Sequence, residues 1–186
     1  LVQFHEFDIF GTQEGLRHQL DSLKTSLPKY DYIGVGRNDG KKEGEHAAIF
    51  YRIDKFELLE HGDFWLSETP EKPSVGWDAV LPRICTWGHF KYKDTGFEFL
   101  FFNLHMDHIG KQARVESALL VQQKMKEIGC LYEKAYNLAC SQENIQLQKQ
   151  ILSICLNTFS ISDDYRENCY EIADKLMELE NYQCQA

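Results

Sequence analysis

Three polar side chains capable of acid–base chemistry close an apolar run at Phe101-Phe102-Asn103-Leu104-His105-Met106-Asp107-His108. Phe99, Leu100, Phe101 and Phe102 favour an interior strand, and imidazole or carboxylate groups packed at its end need partners or a ligand. An imidazole with an unperturbed pKa near 6.5 exchanges protons close to neutral pH. His105, Asp107 and His108 are therefore candidate catalytic residues, although alternation along a strand means that the two histidines need not share a face. A strand that merely ends in solvated polar residues would read the same way.

A second strand end of this kind lowers the weight of that plainer reading. Phe7-Asp8-Ile9-Phe10-Gly11 is a short apolar stretch that runs into Gln13 and Glu14, followed by Leu16, Leu20, Leu23 and Leu27 near helical spacing. Glu14 thus sits at the mouth of a sheet beside a helix start. A carboxylate there suits a hard cation such as Mg²⁺, which takes a few oxygen ligands and keeps waters. It would equally serve to compensate the helix dipole in its first turn.

Taken in order, the motifs Gly11-Thr12-Gln13-Glu14-Gly15, Gly34-Val35-Gly36-Arg37-Asn38-Asp39-Gly40, Gly44-Glu45-His46-Ala47-Ala48-Ile49-Phe50-Tyr51-Arg52, Phe64-Trp65-Leu66-Ser67-Glu68-Thr69-Pro70, Gly76-Trp77-Asp78, Pro82-Arg83, Asn103 to His108 and Ala113-Arg114 form a consistent series. From about Phe4 to Ile128 the sequence resembles the endonuclease/exonuclease/phosphatase superfamily, the DNase I-like metal-dependent phosphoesterases. In the bacterial branch that it looks most like, the histidine strand reads Asn-Thr-His-Leu-Asp-His; Leu104 and Met106 depart from it and remove a hydroxyl beside His105.

The resemblance implies Glu14 as a metal ligand for Mg²⁺ or Mn²⁺, and His105 as the residue that contacts the scissile phosphate and assists proton transfer. Glu45 falls where the family has a Glu that orients that histidine. Hydrolysis of an anionic phosphate ester needs a cation to neutralise the phosphoryl oxygens and a positioned proton carrier. A Glu on the other imidazole nitrogen would fix the tautomer and raise basicity, whereas a structural Glu45–His105 ion pair is the alternative. Arg37, Arg83 and Arg114 are candidate phosphate-binding residues, because a guanidinium fork matches two phosphate oxygens; surface ion pairs are the competing assignment. Arg114 begins a helix expected to face Ala118, Leu119, Val121 and Met125 to the core. Trp65, Trp77 and Trp87 could floor a pocket, though large aromatics more often serve the core.

The family's opening strand with its metal-site Asn, its Gly-Asp-Phe-Asn strand end and its late Asp-His pair have no counterpart in this sequence. The resemblance therefore implies roughly half of an active site and a chain that is catalytically poor alone. Composition also changes along the chain: all 12 Gly, 4 Pro, 3 Trp and 7 His lie at or before Gly129, and five of the 6 Cys after it. The expected domains are residues 1–129, a truncated superfamily domain, and residues 130–186, a tail whose apolar spacing reads as three helices, with Ser162-Asp163-Asp164 as the N-terminal signal of the last. Asp163, Asp164 and Asp174 are the acidic residues there that could add a metal ligand. Such a tail could bind a partner, and a non-catalytic interaction protein is the alternative to an enzyme.

Cysteines on apolar faces and the absence of a close Cys pair favour reduced, buried thiols and a cytoplasmic setting, while an export signal ahead of Leu1 stays open. A formal net charge of −9 and a pI of about 5.2 argue against avid binding to long nucleic acid. A phosphorylated small molecule or short phosphodiester is the expected substrate class, and no membrane-length apolar run occurs. The expected fold is α/β, a partial sandwich of mostly antiparallel strands flanked by helices and followed by an all-helical tail. Open sheet edges or the tail would permit oligomers.

Overall fold

The computed structural model describes the backbone of residues 2–141 and the side chains of residues 2–129. Among the described residues six strands form two antiparallel sheets, with β1 Ile9–Gly11, β2 Tyr30–Ile33 and β3 Ile49–Arg52 ordered β1-β3-β2, and β4 Phe56–Trp65, β5 Ile84–Tyr92 and β6 Glu98–Leu104 ordered β4-β5-β6. Helices are α1 Val2–His5, α2 Arg17–Ser26 and α3 Lys111–Ser141. The described residues fall into two compact units, residues 2–95 with 101–122, and residues 96–100 with 123–141.

Within the first unit the layering follows from strand alternation, which sends successive side chains to opposite faces. Ala47 packs on Trp65 and Ile84, and the Tyr51 ring lies 5.1 Å from that of Phe90, so this face of the first sheet meets the second. Ala48 and Phe50 point the other way, onto Leu20, Leu27 and Tyr30. Full burial of Phe50 contributes about 1.5–3 kcal/mol. On the far side, Phe64, Leu66 and Cys85 pack with Phe102, Leu104, Leu120 and Val121. Helix, sheet, sheet and helix are thus stacked, the α/β sandwich expected from the sequence. Burial raises the Cys85 thiol well above its ordinary value, so this free cysteine is a protonated core residue.

Three expectations are corrected. The apolar residues of β6 are only half-buried and Asn103 is its one buried side chain, because β6 ends the order of its sheet. Helix α3 turns Ala113, Ser117, Leu120 and Val121 inward, while Ala118 is exposed and Leu119 is 56% exposed; the consecutive apolar residues 118–121 left the phase undetermined. The helix also runs across the expected boundary at Gly129 and continues to Ser141, since a single helical Gly costs only about 1 kcal/mol and no breaker follows it. Asp78, whose carboxylate accepts the N–H groups of Gln112 and Ala113, caps its start. The rest of the expected three-helix tail, with Asp163, Asp164 and Asp174, lies outside the described residues. Among the described residues no helix is long and apolar enough to cross a membrane.

Candidate active site

Asn103 fixes the ends of three strands. Its Nδ2 donates to the carbonyls of Thr12 and Ala48, each at 2.9 Å, and its Oδ1 accepts from Gln13 Nε2 at 2.7 Å. Gly11 permits this approach, since a Cβ there would lie 2.5 Å from Asn103 Oδ1. Glu14 and His105 are thereby brought to one edge of the sandwich from distant parts of the sequence. Glu14 adopts a left-handed φ of 61°, a conformation that costs a non-glycine residue on the order of 1–3 kcal/mol and persists where surrounding structure enforces it, often at functional sites. Replacing Asn103 with Leu removes its hydrogen bonds to the Thr12 and Ala48 carbonyls, at about 0.5–1.5 kcal/mol for each bond. A urea-denaturation midpoint unchanged by that substitution would count against this role.

Glu14, Glu45 and His105 each offer a ligand atom within 4.8 Å of the others. His105 Nε2 lies 3.7 Å from Glu14 Oε1, and its Nδ1 lies 3.4 Å from Arg83 Nη1. Because a guanidinium has donors only, Nδ1 accepts, and the neutral ring carries its proton on Nε2. Burial, followed by the Arg83 charge, holds His105 below the ordinary imidazole value. Glu45 is engaged by Arg37 at 2.6 Å, so the structure brings it to the site through an arginine and not through a bond to His105. Arg37 Nε is buried with no partner among the described residues. The Arg37 backbone is itself anchored by Trp65 Nε1, which donates to its carbonyl at 2.7 Å.

Arg83 organises the layer behind these groups. Its Nε donates to Asp107 at 3.2 Å and its Nη2 to His108 Nδ1 at 3.0 Å. The Asp107 side chain is fully buried and also accepts the N–H groups of Val80, Ile109 and Gly110. Arg114 donates to the Asp107 carbonyl at 3.1 Å. The depression at the sandwich edge is lined by Glu14, Arg37, Glu45, His46, Arg83 and His105. Of the sequence candidates, then, the structure gathers Glu14, Glu45, His105, Arg37 and Arg83, and sets Asp107, His108 and Arg114 outside that lining. Trp65 and Trp87 are core residues. Asn103 was not singled out as a site residue, an Asn in an apolar strand being its sequence signal; Trp65, weighed as a pocket floor or a core residue, is a core residue that also anchors the Arg37 carbonyl.

A layered α/β sandwich of this kind fits the endonuclease/exonuclease/phosphatase superfamily, and over about 69% of its length the chain matches solved structures of that family. The chain is similar to a mannosyl-6-phosphatase of Bacteroides thetaiotaomicron at 77% identity and a TM-score of 0.68, covering 69% of this chain and 48% of that one. It is 52% identical to an endonuclease/exonuclease/phosphatase of Bacteroides vulgatus, with a TM-score of 0.67 over 68% of this chain and 49% of that one. An uncharacterized protein of Acanthamoeba polyphaga mimivirus is 29% identical over 116 residues, 58% of this chain and 42% of that protein. The chain thus spans about half the length of these relatives. No protein-family model matches it.

Proposed function

We propose that this chain forms the cation- and phosphate-facing part of a Mg²⁺- or Mn²⁺-dependent phosphoesterase that acts on small phosphate esters, phosphomonoesters such as sugar phosphates foremost. The observation that carries this reading is the convergence of Glu14, Glu45 and His105 within 4.8 Å, beside Arg37 and Arg83. The name of the mannosyl-6-phosphatase relative supports the substrate class, and the net charge of −9 favours a small substrate over long nucleic acid.

The donor set fits a hard cation: Glu14 and Glu45 would hold it, and when bound it neutralises charge on the phosphoryl oxygens. Arg83 is oriented for an anion by Asp107, and Arg37 has spare donor capacity at the same depression. Their guanidinium groups bind phosphoryl oxygens and hold the ester in place. Neutral His105 presents its Nε2–H to a phosphoryl or leaving oxygen, where it hydrogen-bonds the developing charge. The family's water-positioning motifs have no counterpart in this sequence, so turnover by the 186-residue chain is expected to be slow.

Titrating Mn²⁺ into the full chain while following hydrolysis of p-nitrophenyl phosphate and bis-(p-nitrophenyl) phosphate tests this reading. Slow, chelator-sensitive release, faster from the monoester, is the expected result. A folded chain that neither binds Mn²⁺ nor hydrolyses either ester would overturn it.

A further inference from the structure

Glu14 and Glu45 arrive on separate loops, and His46 is the residue that touches both. Its backbone N–H donates to the Gly15 carbonyl at 2.9 Å in an isolated antiparallel bridge. Its ring Nδ1 lies 3.1 Å from the Gly15 carbonyl and 3.1 Å from the Gly44 carbonyl. Gly15 directly follows Glu14 and Gly44 directly precedes Glu45. Carbonyl oxygens only accept, so Nδ1 must carry the proton and share it between them. The ring is 1% exposed, its burial favours the neutral form, and Nε2 meets no partner among the described residues.

The geometry points to His46 as a positioning residue that sets the separation of Glu14 and Glu45 by pinning the Gly15 and Gly44 carbonyls to one imidazole N–H. The left-handed φ of Glu14 is then held from the Gly15 side, while Leu20 packs beneath the loop, 2.7 Å from where a Gly15 Cβ would stand. The role assigned to His46 is exercised through the two loops and not as a ligand of the cation. Its effect on cation affinity rests on the proposed ligand role of Glu14 and Glu45; the pinning of the loops does not.

Two variants of the full chain, His46→Phe and His46→Asn, separate donor chemistry from packing. Phe keeps the ring volume and loses the donor; Asn places an amide N–H near the Nδ1 position and loses volume. Amide hydrogen exchange should accelerate together in the peptides carrying Glu14-Gly15 and Gly44-Glu45 in His46→Phe and return toward wild type in His46→Asn. Thermal midpoints should instead fall at least as far in His46→Asn. Mn²⁺ affinity, read by calorimetry, should weaken by about 10- to 100-fold in His46→Phe and recover in His46→Asn. In the wild-type chain, ¹⁵N NMR should show His46 protonated at Nδ1, a reading that requires no variant to fold. Unchanged loop exchange in a folded His46→Phe, absence of rescue by Asn, or an Nε2-protonated ring would each overturn the assignment. A wild-type chain that binds no Mn²⁺ would refute the cation site, with the clamp then judged by exchange and tautomer alone.

Discussion

Replacing Asp107 with Ala is expected to destabilise the folded chain by about 3–5 kcal/mol, the usual cost of stripping one partner from a buried ion pair. Both side chains are buried, Asp107 wholly and Arg83 almost so, and the substitution also leaves the N–H groups of Val80, Ile109 and Gly110 without their acceptor. Burial alone would raise the Asp107 carboxyl, but those three N–H groups and the Arg83 guanidinium outweigh it and hold the group well below the usual carboxylate range. Folding therefore favours the ionised form. The resulting stability is present in full above the unfolded value of about 3.9 and is lost as the pH falls from there toward the folded-state value. Urea melts of wild type and Asp107→Ala at pH 7 should differ by the stated amount and converge under acid conditions; a difference below about 1 kcal/mol at pH 7 would contradict this account of the site's supporting layer.

His105→Ala should lower metal-dependent kcat by about 10²- to 10³-fold, the range for removing a hydrogen-bond donor aimed at developing charge. The argument is geometric. Arg83 fixes which nitrogen accepts, so the Nε2–H is the atom on the Glu14 side of the ring, and the lowered pKa keeps that ring neutral near pH 7. The protein fold should survive, because His105 is only partly buried. A loss of less than about tenfold, with Mn²⁺ binding intact, would reduce His105 to a polar strand end.

Glu14 and His105 were legible in the sequence because each ends an apolar strand, where a polar group conflicts with its surroundings. The sandwich was legible from the same alternation and from the ordered motifs. Glu45 was found only through resemblance, since it lies in a polar, Gly-rich loop where a glutamate raises no local conflict. Its partner was not foreseen: the bond to Arg37 joins two residues by side-chain geometry that spacing does not encode. The same holds for Arg83, which was recognised as a phosphate candidate but not as the group that touches His105, Asp107 and His108 together. The inward face of α3 was misassigned because Ala118, Leu119, Leu120 and Val121 are consecutive apolar residues, and only packing on Phe64, Leu66 and Cys85 selects Leu120 and Val121.

The most direct test of the central claim is the Mn²⁺ dissociation constant of the wild-type chain and of Glu14→Ala, measured by calorimetry on protein whose thermal midpoints confirm folding. One saturable site in wild type, weakened at least about tenfold in Glu14→Ala, is the predicted result, since a hard cation here depends on carboxylate oxygens. Equal Mn²⁺ affinity in the two proteins would contradict it, by showing that the cation binds without Glu14.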